Sequence, residues 1–297
     1  MTSFELRRTT EVGRLSIVTP SMVNSAKRAA FACASLAELQ ELLNARYRHV
    51  VVDDKPKCAG RLLGVVPNRL TRKLPNFAYY GVARKIYSAR RNVEFLRGDG
   101  RSSISALRLA ITRAKELGSS YVFIHLDDNA YAQTLPSLLA DSIAAMDTHE
   151  QVSVVRLSAY PILSGDCDRE HGNTTLITRA DDSVRFDSVV LRPQRSSAFT
   201  LWSAPWEAST ADGRFWPVIL WNAVYKVDCL LWLLSNEAAP RLANLGAVEA
   251  WYKSNWKTVW RHMPGSFGFI NMQFAGLERE RNLNWRELID LPNAPVL

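Results

Sequence analysis

The amino-acid sequence predicts an α/β protein built on a doubly wound, mainly parallel sheet. Over the first 160 residues, short apolar runs of strand length alternate with amphipathic helical segments, the pattern of parallel strands joined by crossover helices. Two of these runs end on an Asp-Asp pair. All nine tryptophans lie beyond residue 200, and the alternation is lost there, which predicts a mixed, tryptophan-rich C-terminal half.

The first predicted strand covers Leu15–Thr19 and is expected to end at Pro20, which cannot donate a hydrogen bond to a sheet. A helix follows, because Ser35 and Glu38 have the spacing of a capping box. Three leucines then fall on one helical face: Leu36, Leu39 and Leu43. The second strand, Arg48–Val52, comes next and leads into Asp53-Asp54.

The third strand, Val93–Leu96, is followed by a helix that Ser102 or Ser103 is expected to cap. Gly118 is expected to end this helix, since glycine favours the left-handed conformation found after a helix. Its apolar residues form one stripe at helical spacing: Ile104, Leu107, Ile111 and Ala114.

The strand that starts at Tyr121 is apolar and ends on Asp127-Asp128-Asn129. A helix over residues 134–146 and a strand at Val152–Leu157 complete the alternating part. Because ligands bind beyond the carboxyl ends of strands in open α/β sheets, two strands with acidic ends predict one acidic cleft. The plainer interpretation is that these Asp side chains form turns or cap helices.

Composition narrows the possible functions. The net charge of +8 and the isoelectric point near 9.5 suit nucleic acid, anionic lipid headgroups or a polyanionic ligand, and equally a solvated basic face. No nucleic-acid motif accompanies the charge, so we do not expect nucleic acid as a partner. No apolar run reaches membrane-spanning length. Four scattered cysteines without zinc spacing indicate free thiols and a cytoplasmic protein.

The two Asp-ended strands and the segment Gly98-Asp99-Gly100 between them resemble the GT-A glycosyltransferases of the family 2 type. The resemblance covers about residues 12–160 and implies that residues 1–297 form a single GT-A-like domain. In it, about 12–160 would bind a nucleotide sugar and about 161–297 would face the acceptor. It implies transfer of a sugar from a nucleoside-diphosphate sugar to an acceptor hydroxyl of a glycan, lipid or protein, with contact to an anionic membrane surface as a further expectation.

The resemblance also implies nucleotide-sugar contacts. Asp53 or Asp54 would face the nucleobase, and Asp127 would hold the ribose and the divalent metal ion on the diphosphate. Further contacts are assigned to Pro20, Asp99 and Arg101.

The resemblance implies a Mn²⁺ or Mg²⁺ ion on the diphosphate, held by Asp127, Asp128 and Asn129. Asn129 departs from the Asp-x-Asp pattern of the family, so either Asp128 contacts the metal or the metal binds weakly. His262 would correspond to a further metal ligand that some relatives carry. A lone histidine is more often structural.

By resemblance, the general base is Glu249, with Asp166 and Asp168 as alternatives. Ala250 replaces the acid that follows this position in the family. Asn129 and Ala250 together also fit a GT-A-like scaffold that has lost catalysis and binds a partner.

Overall fold

The computed structural model describes residues 13–21, 26–53, 92–99, 102–126, 135–157, 177–178, 184–186, 189–197, 199–207, 218, 220, 223–236, 242, 244–263 and 265–270. The chain divides into two compact units. Unit 1 comprises Met1–Gln133 and Arg281–Leu297, and unit 2 comprises Thr134–Glu280. That both form a single domain stays a prediction.

The described part of unit 1 consists of a parallel β-sheet and two α-helices. The strand order is β3-β2-β1-β4, and every neighbouring pair is parallel. Its elements are β1 (Leu15–Ser21), α1 (Ala26–Leu42), β2 (Arg48–Asp53), β3 (Val93–Arg97), α2 (Ser103–Glu116) and β4 (Tyr121–Ile124). Strand β1 is buried along its whole length, as expected for a strand between two parallel neighbours. Strand β4 is buried along its whole length as well.

Helix α2 forms as the sequence predicts. Ser102 is the N-cap, and its hydroxyl accepts a hydrogen bond from the Ser105 backbone N at 3.2 Å. The Ser105 hydroxyl in turn accepts a hydrogen bond from the Ser102 backbone N, which completes a capping box. Gly118 follows the helix with φ of +86°. The predicted stripe of Ile104, Leu107, Ile111 and Ala114 is buried.

Strand β1 continues through Pro20 to Ser21, so the predicted strand end is wrong. Within a strand, the N–H and C=O of one residue point to the same side and successive residues alternate. The backbone N–H and C=O of Val18 point toward β4, because its carbonyl oxygen accepts a hydrogen bond from the His125 N at 2.9 Å. The backbone of Pro20, two residues later, therefore faces the same side. Pro20 lies past Val18, which is the last residue of β1 that pairs with β4. Its missing N–H leaves the bonds to β2 intact.

Helix α1 begins at Ala26, so Ser35 lies inside the helix and does not cap it. The Ser35 hydroxyl lies 2.9 Å from the Nε2 of His125. The predicted apolar face is correct, because Leu36, Leu39 and Leu43 are all buried. The Ser-x-x-Glu pattern is therefore not a capping box here, and its serine makes a tertiary contact instead.

Unit 2 is a mixed α/β layer, which confirms the mixed character predicted for the C-terminal half. Its described strands follow the order β10-β5-β11-β9-β8-β7-β6. β5 pairs antiparallel with β10 and parallel with β11. The elements are α3 (Leu135–Thr148), β5 (Val152–Arg156), β6 (Ile177–Thr178), β7 (Val184–Phe186), β8 (Val189–Arg195), β9 (Thr200–Pro205), β10 (Ala223–Lys226), α4 (Val227–Ser235), α5 (Leu245–Val259), a 3₁₀ turn (Trp260–His262) and β11 (Ser266–Ile270).

The α/β class is confirmed by these elements, while double winding stays a prediction. Aromatic rings fill part of the unit 2 core: the Trp206 ring lies 5.4 Å from that of Trp256 and 4.9 Å from that of Phe267, between centroids. Within the described stretches, no helix is both long enough and apolar enough to cross a membrane.

Gly265→Ala is expected to destabilise unit 2 by about 3 kcal/mol. Gly265 has φ of +73°, and an added Cβ would overlap the Gln151 carbonyl oxygen and the Ser153 hydroxyl. Denaturant unfolding followed by tryptophan fluorescence measures this loss, since all tryptophans except Trp285 lie in unit 2. Gly246→Ala is the matched control, because among the described residues a Cβ there meets only the Asn244 Oδ1, at 3.5 Å. Equal effects of the two substitutions would contradict the prediction.

Candidate active site

The carboxyl ends of β1 and β2 lie side by side at one edge of the unit 1 sheet. Ser21, which follows Pro20, is in register with Asp53 at the end of β2, and Asp53 is in register with Arg97 of β3. β4 is parallel to these strands, so its carboxyl end points the same way. The backbone therefore brings Pro20 and Asp53 close together, while the acidic cleft formed by the two Asp-Asp strand ends stays a prediction. Several predicted site residues lie outside the described residues: Asp54, Arg101, Asp127, Asp128, Asn129, Asp166 and Asp168.

Asp99 is exposed and supports the start of helix α2. Its Oδ1 accepts a hydrogen bond from the Ser105 hydroxyl at 2.8 Å, and Ser105 is part of the capping box with Ser102. This contact is the structural role that a turn residue before a helix usually has. A contact of Asp99 with a nucleotide stays a prediction.

Glu249 lies in the second turn of α5 and is partly buried. The helix is capped by Asn244, whose Oδ1 accepts a hydrogen bond from the Ala247 N at 2.9 Å. The Glu249 Oε1 accepts a hydrogen bond from the Leu220 backbone N at 2.6 Å. Burial raises the pKa of Glu249 to about 7, while the Leu220 N–H and the positive charge of Arg156 act in the opposite direction.

Arg156, the last residue of β5, is 2% exposed and was not singled out from the sequence. Burial lowers the pKa of its guanidinium to about 10, and attraction to Tyr225 and Glu249 opposes that shift. The group therefore stays charged at neutral pH. Its Cζ lies 5.4 Å from the Phe267 ring centroid. A charged residue at the end of an otherwise apolar strand is the only sequence signal for this role.

Glu249 and Arg156 interact electrostatically inside unit 2. A carboxyl group with a pKa near 7 exchanges protons readily at neutral pH, as a general base requires. The cationic Arg156 favours the ionised form that accepts a proton. Groups shifted in this way by burial and a specific charge are more frequent at functional sites.

His262 is exposed in the 3₁₀ turn that follows α5. Among the residues that the structure describes, no three His, Cys, Asp or Glu side chains are grouped as a metal site would require. The assignment of His262 as a metal ligand therefore stays a prediction.

A buried polar cluster between α1 and the unit 1 sheet was missed at the sequence level. The Thr19 hydroxyl lies 2.7 Å from the Nε2 of His49 and 3.0 Å from the Nδ1 of His125. The His49 Nδ1 lies 2.8 Å from the Gln40 Nε2, and the His125 Nε2 contacts Ser35. His49 and His125 are fully buried. The ring of His125 therefore bonds to side chains of β1 and α1.

No protein-family model matches the chain, and no curated protein sequence matches it. Among solved structures, the crystal structure of S. aureus TarS 1-349 is similar at 12% sequence identity and a TM-score of 0.46. The alignment covers 88% of this chain and 58% of the TarS chain.

Proposed function

We propose that this chain is a glycosyltransferase that moves a sugar from a nucleoside-diphosphate sugar to an acceptor hydroxyl, with Glu249 as the general base. The main support for the proposal is the burial and the raised pKa of the Glu249 carboxyl group. This group is partly buried, has a pKa of about 7 and is attracted to the buried charge of Arg156. A base with a pKa near the working pH combines the ionised form with the strongest affinity for the proton.

In the proposed reaction, the Glu249 carboxylate takes the proton of the acceptor hydroxyl. The acceptor oxygen forms a bond to the anomeric carbon as the bond from that carbon to the phosphate oxygen breaks. The electron pair of the broken bond leaves with the nucleoside diphosphate. The Leu220 N–H, at 2.6 Å from Oε1, orients the carboxyl group so that its other oxygen can accept the proton.

The donor would bind at the carboxyl edge of the unit 1 sheet. Support comes from the register that places the ends of β1 and β2 side by side, and from the position of ligands in open α/β sheets. Pro20 would lie against the nucleoside, and Asp53 or Asp54 would accept hydrogen bonds from the base. Asp99 and Arg101, before α2, would face the ribose and phosphates.

A divalent cation would neutralise the charge that develops on the departing diphosphate. Asp127, Asp128 and Asn129 supply carboxylate and amide oxygens, which are the ligands that Mg²⁺ takes. His262 would add an imidazole nitrogen, a ligand that suits Mn²⁺ less than oxygen does. The oxygen ligands of this donor set fit the proposed ion.

The proposal predicts that one nucleoside diphosphate stabilises the protein in the presence of Mn²⁺. At about 100 times its dissociation constant, the ligand should add roughly 2.7 kcal/mol to the free energy of unfolding. Thermal unfolding with UDP, GDP, CDP and dTDP, each with and without Mn²⁺, measures this effect. Asp127→Ala should remove the rise, while Glu38→Ala, which changes an exposed acid of α1, should keep it. No rise with any nucleotide would favour the non-catalytic scaffold.

A further inference from the structure

The polar cluster between α1 and the unit 1 sheet contains hydrogen bonds of defined direction. The Asn92 Nδ2 lies 2.9 Å from the Tyr47 carbonyl oxygen and 2.7 Å from the Gln40 Oε1. A carbonyl oxygen only accepts, so the Asn92 atom that touches it must be its amide nitrogen. The facing Gln40 atom is then the oxygen, and the Gln40 nitrogen is the donor to the Nδ1 of His49.

This orientation determines the protonation of both histidines. Because the His49 Nδ1 accepts, the proton of the neutral ring lies on Nε2, which donates to the Thr19 hydroxyl. Burial lowers the pKa of His49 to about 3, in agreement with a neutral ring. Within the described part of the chain, the His125 Nδ1 is then the acceptor within reach of the Thr19 proton. The His125 Nε2 carries a proton and donates to Ser35.

Thr19 is therefore the link between strands on either side of β1. It accepts from His49 of β2 and donates to His125, which directly follows β4. The backbone N of His125 also donates to the Val18 carbonyl at 2.9 Å. The last residues of β1 and the first residues after β4 are thus held by one side-chain bond and one backbone bond.

We propose that Thr19 is a positioning residue, which holds the carboxyl ends of β1 and β4 in the relative position that nucleotide binding requires. This inference rests on the proposed function for the identity of the ligand. A purely apolar contact would also stabilise the packing of these strands, but it would not fix the orientation of the groups in contact. A hydroxyl that accepts from one ring and donates to the other allows one arrangement of the two strands.

A buried hydroxyl pair at the opposite end of the same strands provides the control. The Ser16 and Ser119 hydroxyls are 2.7 Å apart and buried. Ser16 is near the start of β1, and Ser119 lies just before β4. Thr19→Val and Ser16→Ala each delete one buried hydroxyl, the first at the carboxyl end and the second at the amino end. Thr19→Ser retains the hydroxyl.

Isothermal titration calorimetry with UDP, GDP, CDP and dTDP in the presence of Mn²⁺ tests the role in binding. Thr19→Val should weaken binding roughly tenfold or more, since it removes the hydroxyl that accepts from His49 and donates to His125 and so loosens the two strand ends. Ser16→Ala and Thr19→Ser should stay within about twofold of the wild-type chain. Equal loss in Thr19→Val and Ser16→Ala, or wild-type affinity in Thr19→Val, would overturn the inference and leave the proposed function standing.

Amide hydrogen exchange of the same variants needs no ligand. Thr19→Val should speed exchange of the His125 amide, which bonds to Val18. Ser16→Ala should instead speed exchange of the Tyr121 amide, which bonds to Arg14. If the wild-type chain binds none of the nucleotides, the proposed function fails. Exchange then decides the positioning role alone: an unchanged His125 amide in Thr19→Val would refute it.

Discussion

Glu249→Gln is expected to lower kcat by a factor of about 10² to 10⁴, the usual contribution of a positioned general base. Glutamine has the shape of the carboxyl group and can still accept the Leu220 N–H bond, but it cannot take a proton from the acceptor. Binding of the nucleoside diphosphate should change little, because the proposed role of Glu249 concerns the acceptor.

The same substitution is expected to stabilise the protein at pH 8. The folded state raises the pKa of Glu249 from 4.5 to about 7. Between these values the folded state binds more protons than the unfolded state, so stability falls as pH rises. Glutamine resembles the protonated form and avoids that loss. The free energy of unfolding should increase by roughly 3 kcal/mol at pH 8, with little change at pH 4.

Steady-state kinetics and denaturant unfolding at both pH values test this pair of effects. Glu150→Gln, which changes an exposed acid of unit 2, is the control and should alter neither quantity. A loss of activity together with a gain in stability distinguishes a functional acid from a structural ion pair, whose removal would destabilise the fold. Full turnover in Glu249→Gln would remove it from the mechanism.

Arg156→Met is expected to move the rising limb of the pH–rate profile to higher pH. The positive charge of Arg156 lowers the pKa of Glu249, so its removal lets burial raise that pKa further. A nearby opposite charge typically accounts for about one to three pH units. Since the base acts in its ionised form, kcat at pH 7 should fall about tenfold or more and recover as the pH is raised.

Two further variants separate the charge effect from damage to the core. Arg156→Lys retains the charge and should keep the limb near its wild-type position. Arg192→Met makes the same replacement at an exposed site of β8 and should leave the profile unchanged. If Arg156→Met lowers activity equally at every pH, the loss is structural and Arg156 does not tune Glu249.

Local patterns predicted the local structure well. The cap of α2 at Ser102, its end at Gly118 and the leucine face of α1 all follow from residues within a few positions of one another. The predictions were wrong at residues whose structure involves contacts with residues far away in the sequence. Pro20 remains in β1 because the pairing with β4 ends at Val18, and Ser35 lies inside α1, where its hydroxyl contacts His125.

The sequence by itself determined the α/β class, the acidic strand ends and Glu249 as a candidate base. Hydrophobic periodicity and family resemblance depend only on the order of residue types. They can therefore identify a carboxylate, but they give no information about its surroundings. Only the tertiary structure decided that Arg156 and Leu220 surround Glu249, and that Thr19 joins two buried histidines from β2 and the end of β4. A pKa and the direction of a hydrogen bond depend on burial and on neighbours far away in the chain, which come together only when the chain folds.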